Sequence, residues 1–179
     1  MPRFCAFLRS INAGQGRVVR MEVIRQAFES LGFSGVTTFL ASGNVAFETG
    51  AAKVKALERE IECVLSQALG FEAPVFIRTC SEVGKIAAYE PFAGSEIRNA
   101  DLNVILLADS LDQKSKAKLM ALETHTDGFR VHEREIYWWR RKRPGTSRFS
   151  TVPFAKALRR PFTIRSMNTI RRLSARLDR

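Results

Sequence analysis

The sequence predicts an α+β fold made of two tandem ferredoxin-like units, each with the element order β-α-β-β-α-β. Three observations predict it. The first 80 or so residues carry this order of apolar patterns, a similar order recurs after residue 100, and 179 residues suffice for one large domain or two small ones. We expect residues 1–80 to form the first half, residues 81–100 a connecting helix and turn region, and residues 101–179 the second half.

The first half opens on residues 3–9, where apolar side chains on both faces indicate a strand inside a covered sheet. Apolar residues three and four apart predict a helix over residues 21–31, followed by Gly32. Ser42-Gly43-Asn44 then predicts a hairpin turn between two strands, at residues 36–41 and 45–47. A long helix over residues 54–68 and a strand over residues 75–78 complete the order.

The connecting region holds a short helix over residues 81–88 and a turn-rich stretch up to residue 100. The second half then repeats the order with a degraded last strand and an added C-terminal helix. Its predicted elements are a strand at 102–107, a helix at 111–123, strands at 129–132 and 136–140, a short helix at 153–160, an extended piece at 162–165 and a final helix from Met167. The halves share no evident sequence motif, so we predict a duplication of architecture only.

The positive charge is concentrated at the end of the chain. The whole sequence has a formal net charge of +11, whereas residues 1–90 carry only +1. Residues 140–179 hold 13 Arg or Lys residues and a single acidic residue, Asp178. This segment is either a solvated surface or a patch that attracts phosphates.

Cysteine usage and hydropathy predict a cytoplasmic location. Cys5, Cys63 and Cys80 are widely spaced and form no Cys-x-x-Cys pair, which is typical of reduced thiols. The longest apolar runs fall far short of the roughly 20 residues that a membrane-spanning helix needs. The N-terminal apolar run is also too short for a signal peptide. We therefore expect no membrane partner.

Several blocks of the sequence resemble the bacterial family called domain of unknown function 1697. They lie at residues 8–14, 38–47, 91–92, 144–147 and 163–170, so the resemblance extends over almost the whole chain. The chain departs from the family pattern at Ser10, Ser166 and Met167, where Gly, Asn and Trp are usual. The resemblance implies an α+β fold of duplicated ferredoxin-like character and supplies no established activity.

Polar residues at two junctions of the first half, and in the family blocks of the second, form the predicted ligand-binding set. A junction at which a strand runs through a glycine-containing turn into a helix N-terminus binds anions in many proteins. A plain connecting loop accounts for the first junction equally well. A hairpin alone accounts for the second junction, because Gly and Asn tolerate positive φ. The predicted set is Arg9, Asn12, Arg17, Ser42, Asn44, Ser147, Arg148, Arg165 and Asn168.

Aromatic residues and arginines are interleaved at Tyr137-Trp138-Trp139 and the basic run that follows. Such a pattern binds single-stranded nucleic acid when bases stack on exposed rings. Alternation along a strand places the two tryptophans on opposite faces, so at least one of them belongs to the core under the alternative interpretation. The arginines predicted to contact a polyanion are Arg140, Arg141, Arg143, Arg159, Arg160, Arg172 and Arg176.

Recognisable catalytic and metal-binding groups are scarce. His125 and His132 have no Cys or carboxylate at a metal-ligand spacing, and Glu133 and Glu135 are expected on a solvent-exposed edge. We therefore expect no metal and no cofactor, and we assign no catalytic residue. The predicted function is binding of a phosphate-bearing ligand or nucleic acid through the basic C-terminal surface. The alternative is a small enzyme that acts on a phosphorylated or otherwise anionic metabolite.

Overall fold

The computed structural model describes residues 1–9, 11–12, 18–50, 53–94, 100–141 and 152–177. These residues form a mixed α+β structure with two four-stranded antiparallel sheets and six helices. The chain divides into two compact units. Unit 1 comprises residues 1–87 and 172–179, and unit 2 comprises residues 88–171.

Unit 1 contains the first sheet, with strand order β2-β3-β1-β4. The chain passes in order through β1 (Arg3–Leu8), α1 (Met21–Ser30), β2 (Ser34–Phe39), β3 (Asn44–Glu48), α2 (Val54–Leu69), β4 (Val75–Thr79) and α3 (Cys80–Ala88). Gly70 ends α2 with a positive φ of 73°. A left-handed residue at this place is the usual helix stop, so the predicted end of this helix is confirmed.

The core of unit 1 lies between its sheet and the helices α1 and α2. Phe28 and Phe33 pack against Phe47 of β3, with ring centroids 5.3 and 4.8 Å from it. In β1, Phe4, Ala6 and Leu8 join this core, and Cys5 and Phe7 on the opposite face are also buried. The prediction of a strand covered on both faces is therefore confirmed.

Strand β4 is an edge of the first sheet, and α2 satisfies its outer backbone groups. The backbone N–H of Ile77 donates to Oε1 of Glu58 at 2.9 Å, and that of Val75 donates to Oε1 of Glu62 at 2.9 Å. Glu58 is only 7% exposed. Carboxylates that accept from an edge strand remove the N–H groups with which another strand could pair.

Unit 2 contains the second sheet, with strand order β6-β7-β5-β8. Its elements are β5 (Ala100–Leu106), α4 (Gln113–Met120), β6 (Asp127–His132), β7 (Glu135–Arg141), α5 (Val152–Leu158), β8 (Thr163–Ser166) and the start of α6 (Met167–Leu177). The core of this unit includes Phe129, Trp138 and Phe154, whose rings pack against one another.

Helix α4 is shorter than the prediction of residues 111–123. It begins after Asp112, whose Oδ1 accepts from the backbone N–H of Ser115 at 2.7 Å. This hydrogen bond to the charged form lowers the pKa of the Asp112 carboxyl. The capping bond starts the helix at Gln113, and apolar periodicity alone cannot locate such a start.

The two sheets correspond strand by strand, which fits a tandem duplication. The predicted extended piece at 162–165 is the strand β8, which pairs with β5 as β4 pairs with β1. Both last strands carry a short common motif, Ile77-Arg78-Thr79 and Ile164-Arg165-Ser166, and each runs directly into a helix. The expectation that the halves share no sequence motif is therefore wrong at this place.

The common motif has the same local structure in each unit. Nη1 of Arg78 donates to the carbonyl oxygen of Ile77 at 2.9 Å, and Nη1 of Arg165 donates to that of Ile164 at 2.9 Å. Both arginines are buried, Arg78 completely. The hydroxyl of the third motif residue then accepts from a backbone N–H in the first turn of the following helix, from Glu82 at 3.1 Å in one unit and Thr169 at 3.1 Å in the other.

The β6–β7 hairpin corrects one further expectation. Glu133 is exposed in the turn with a φ of 51°, whereas Glu135 at the start of β7 is only 3% exposed. The turn separates the two carboxylates, so they do not form a common solvent-exposed edge. None of the described helices combines the length and the apolar character needed to cross a membrane.

Candidate functional site

A polar cleft of unit 2 lies at one end of its sheet, next to the start of α6. Its volume is about 660 Å³, within the range of small-molecule sites. The cleft is lined by Ala100, Asp101, Leu102, Asn103, Trp138, Arg140, Ile164, Ser166, Met167, Asn168 and Arg171. These residues come from β5, β7, β8 and the first turns of α6.

The register of the sheet brings the cleft residues together. β5 is the strand between β7 and β8. Asn103 of β5 lies opposite Trp138 on β7 and opposite Ser166 on β8, and Asp101 lies opposite Arg140. Directly paired residues project from the same face of a sheet, so these side chains form one surface at the floor of the cleft.

Two carboxamides in the cleft are available to a ligand. The side chains of Asn103 and Asn168 line the cleft and make no hydrogen bond with any residue that the structure describes. Each carboxamide offers two N–H donors and a carbonyl acceptor. The hydroxyl of Ser166, by contrast, accepts from the backbone N–H of Thr169 and so caps α6.

The cleft carries both signs of charge, with an excess of positive charge. Arg140 and Arg171 contribute two guanidinium groups, and Asp101 contributes one carboxylate. The N-terminus of α6 adds the positive end of a helix dipole. This arrangement favours a ligand that is anionic at one end and carries hydrogen-bonding groups at the other.

Asp127 of β6 lies outside the cleft lining and holds two residues of that lining in place. Its Oδ1 accepts a hydrogen bond from Nε1 of Trp138 at 3.1 Å and lies 3.9 Å from Nε of Arg140. The indole ring of Trp138 is therefore fixed in orientation. Trp138 belongs to the core of unit 2 as well as to the cleft wall, so this part of the wall is continuous with the core.

The predicted ligand-binding residues of unit 1 hold backbone together. Nδ2 of Asn12 donates to the carbonyl oxygens of Val19 at 3.0 Å and Ala41 at 2.9 Å, and its Oδ1 accepts from the Val19 N–H. Asn44 is fully buried and donates to the Phe39 carbonyl at 2.8 Å and to Oγ of Ser42 at 3.0 Å. Arg9 is half-buried, next to β1. These contacts agree with the loop and hairpin interpretations.

The arginines predicted to bind a ligand or polyanion, together with Asn168, do not form one site and have different neighbours. Arg140 and Asn168 line the cleft, whereas Arg165 is buried and donates to Oγ1 of Thr163 at 2.8 Å. Arg160 forms an ion pair with Asp112 at 3.3 Å, and Arg159 is exposed beyond α5. The guanidinium of Arg141 lies 5.5 Å from the centre of the Trp139 ring, and those of Arg172 and Arg176 lie over the ring of Phe39.

The aromatic run on β7 is buried. Tyr137, Trp138 and Trp139 are 1%, 3% and 9% exposed. The ring of Trp139 lies directly against Gly128, where a Cβ atom would overlap the indole. These rings therefore provide packing rather than an open platform on which bases could stack.

Four predicted residues, Arg17, Arg143, Ser147 and Arg148, lie outside the residues that the structure describes. In the described part of the chain, no group of three or more His, Cys, Asp or Glu side chains is arranged to hold a metal ion. The described cysteines Cys5, Cys63 and Cys80 form no disulfide bond.

Three residues of the cleft, Asp101, Asn103 and Arg171, are not among those predicted from the sequence. One signal was present in the sequence, since Asp101 and Asn103 alternate in a strand whose later residues are all apolar. Polar residues on the core-facing side of a strand indicate that the core ends there and a polar site begins. Arg171 offered no comparable signal because it is one of many arginines in the C-terminal quarter.

Comparisons with known proteins give a family and a fold. The model of the family described as "Protein of unknown function (DUF1697)" matches residues 1–137. A conserved bacterial protein from Streptococcus pneumoniae has a similar solved structure, with a TM-score of 0.74 and 21% sequence identity over 100% of this chain and 99% of that chain. At this identity the similarity concerns the fold alone. No curated protein matches the sequence.

Proposed function

Because the chain belongs to the DUF1697 family, a family of unknown function, we propose its function from the cleft in unit 2: the protein binds a small phosphate-bearing molecule there. The observation that carries the proposal is the convergence of four kinds of group on one cleft of about 660 Å³. They are two guanidinium groups, two carboxamides without partners in the described chain, a helix N-terminus and an apolar wall.

Each kind of group has a distinct part in binding. Arg171 and the start of α6 provide charge and N–H donors for a phosphate, as helix N-termini do in many phosphate sites. Asn103 at the floor donates to or accepts from a polar group further along the ligand. Trp138 and Ile164 cover its apolar part. A sugar phosphate or a nucleotide has this combination of groups.

Two features favour a small molecule over a nucleic acid in this cleft. The volume matches a ligand of metabolite size. The neighbouring aromatic rings of β7 are buried in the structure, and single-stranded binding sites rely on exposed rings. The cleft ligand is therefore a compact phosphate ester.

A thermal-shift screen tests the proposal, with nucleotides, sugar phosphates and short RNA and DNA oligomers as probes. A ligand at a hundred times its Kd stabilises the protein by about 2.7 kcal/mol. For a protein of this size we expect the Tm to rise by about 5 to 10 °C. If no nucleotide and no sugar phosphate raises the Tm, the proposal is wrong, whatever the oligomers do.

Variants then locate the binding site of any compound that raises the Tm. We expect Asn103→Ala to weaken binding about 2- to 12-fold, since one neutral hydrogen bond is lost. We expect Arg171→Gln to weaken it further, because a charge-assisted contact is stronger. Arg59→Gln is the matched control, since it removes an exposed arginine of α2. Equal losses in Arg59→Gln and Arg171→Gln would place the ligand elsewhere.

An enzyme acting on the same ligand is the second candidate function, and Asp101 favours it. Among the described residues of the cleft lining, Asp101 is the one carboxylate, and it lies opposite Arg140 in the sheet. A carboxylate beside a bound phosphate ester is able to accept a proton from a hydroxyl. If a ligand is turned over, Asp101→Asn should abolish turnover and leave ligand affinity within about tenfold.

The finer description of the fold and the location of the protein also belong to the proposal. We propose that both units are ferredoxin-like. The element order β-α-β-β-α-β and the corresponding strand orders β2-β3-β1-β4 and β6-β7-β5-β8 support this. The lack of a disulfide bond among the three cysteines supports a reducing, cytoplasmic location.

A further inference from the structure

Two exposed arginines of α6 share one aromatic ring in unit 1. The guanidinium carbon of Arg172 lies 5.6 Å from the centre of the Phe39 ring, and that of Arg176 lies 5.8 Å from it. Phe39 is the last residue of the edge strand β2. We call Arg172, Arg176 and Phe39 the arginine clamp.

Among the described residues, the guanidinium groups of the arginine clamp contact an aromatic ring and no carboxylate. Neither Arg172 nor Arg176 has a carboxylate partner among the residues that the structure describes. Both are exposed, whereas Ile170, Leu173 and Leu177 on the other face of α6 are buried. A cation over a ring keeps its N–H donors for a second partner, because the ring contacts only the face of the guanidinium.

We propose that the arginine clamp binds the phosphate backbone of a nucleic acid. Residues four apart in a helix are separated by about 6 Å along its axis, so the two forks present donors to phosphates along one strand. Guanidinium forks match phosphate oxygens better than the ammonium group of lysine does. The contacts read the backbone and not the base sequence.

The charge of the chain favours a nucleic acid as the partner. The net charge is +11, and 11 of the 13 basic residues in positions 140–179 are arginines. A polyanion of regular charge spacing gains most from such a surface, because each neutralised phosphate releases bound counterions. This proposal is independent of the cleft in unit 2, whose residues it does not use.

The test measures the binding of fluorescent single-stranded RNA and duplex DNA oligomers as a function of salt concentration. For the double variant Arg172→Gln/Arg176→Gln, we expect the slope of log K against log salt to fall by about 1.4 for single strands and about 1.8 for duplex DNA. Comparison of the two probes shows which nucleic acid the surface prefers.

The matched control removes two charges with the same spacing from another helix. Lys114 and Lys118 are exposed, four residues apart, on α4. We expect Lys114→Gln/Lys118→Gln to leave the slope unchanged. A third variant, Phe39→Leu, keeps both charges and removes the ring, and we expect affinity to fall about two- to fivefold. Unchanged thermal unfolding of each variant shows that the fold is intact.

Three results would overturn the proposal. The first is the absence of binding by the wild-type protein at low salt. The second is an equal loss of slope in the arginine and lysine double variants, which would reduce the effect to overall charge. The third is equally tight binding of polyglutamate, which would make the partner an acidic protein. A failure here leaves the small-molecule proposal standing, since that proposal is tested with Asn103→Ala and Arg171→Gln.

Discussion

The surroundings of an arginine decide whether its side chain stabilises the fold or binds a ligand, and two arginines of this chain are examples. Arg78 and Arg165 occupy equivalent places at the ends of β4 and β8, and both are buried. Arg165 was predicted to bind a ligand because it lies in a block that resembles the family, and no role in binding was predicted for Arg78. The matching hydrogen bonds to Ile77 and Ile164 indicate that both guanidinium groups serve the fold of their own strands.

Gly43 carries a prediction at the scale of a single residue. Its φ is +76°, and an added Cβ would lie 3.0 Å from Cβ of Leu8 and 3.1 Å from Cβ of Ile11. We expect Gly43→Ala to lower the free energy of unfolding by about 1 to 3 kcal/mol, from strain at positive φ and from crowding. Urea denaturation measures the change.

The control for Gly43 is Gly94→Ala. Among the described residues, no heavy atom beyond the chain neighbours lies within 4 Å of a Cβ built at Gly94, so we expect a change within about 0.5 kcal/mol. Similar losses at the two glycines would contradict the tight turn. The lower entropy of an unfolded chain with one glycine fewer acts in the opposite direction and stabilises both variants.

At the scale of elements, the edge strands depend on glutamates from neighbouring segments. Glu58 and Glu62 of α2 accept from β4, and Glu123 after α4 accepts from the Phe129 N–H of β6 at 2.9 Å. The helical pattern predicts α2 from its apolar residues. It cannot predict that two of the polar residues turn toward a strand edge, because that depends on how the helix lies along the sheet.

Glu58 gives the prediction at this scale. We expect Glu58→Ala to lower the free energy of unfolding by about 1 to 3 kcal/mol, because the buried N–H of Ile77 loses its acceptor. Hydrogen exchange of the Ile77 amide should become faster. Glu58→Gln retains an acceptor oxygen and should have a smaller effect. Glu60→Ala, on the exposed side of the same helix, is the control, and a loss at Glu60 equal to that at Glu58 would refute the edge contact.

At the scale of the whole molecule, the positive charge is unevenly distributed along the chain. Residues 1–90 carry a net charge of +1, and residues 140–179 carry +12. In the structure Arg140 lies beside Asp127 and Arg141 lies over Trp139, so neither side chain is fully solvated. The excess charge nevertheless remains on the C-terminal quarter of the chain.

The corresponding prediction concerns the basic run after β7. We expect Arg140→Ala/Arg141→Ala/Arg143→Ala to weaken binding to any polyanion and to flatten the slope of log K against log salt by about two to three units. Arg20→Ala/Arg25→Ala should have much less effect. Arg20 precedes α1, and Arg25 within α1 is already paired with Glu22 and Glu29. Salt titrations on a heparin oligosaccharide measure both. If the affinity does not depend on the salt concentration, the basic segment is only a solvated surface.

The sequence by itself determined the order of elements, the hairpin at Ser42-Gly43-Asn44 and the location of the charge. These are local properties: periodicity, turn chemistry and composition are read within a few neighbouring residues. The tertiary structure alone decided that Asn103, Ser166 and Trp138 line one cleft. Strand register joins residues more than 60 positions apart in the chain, and register follows from the packing of the whole sheet, which no local pattern encodes.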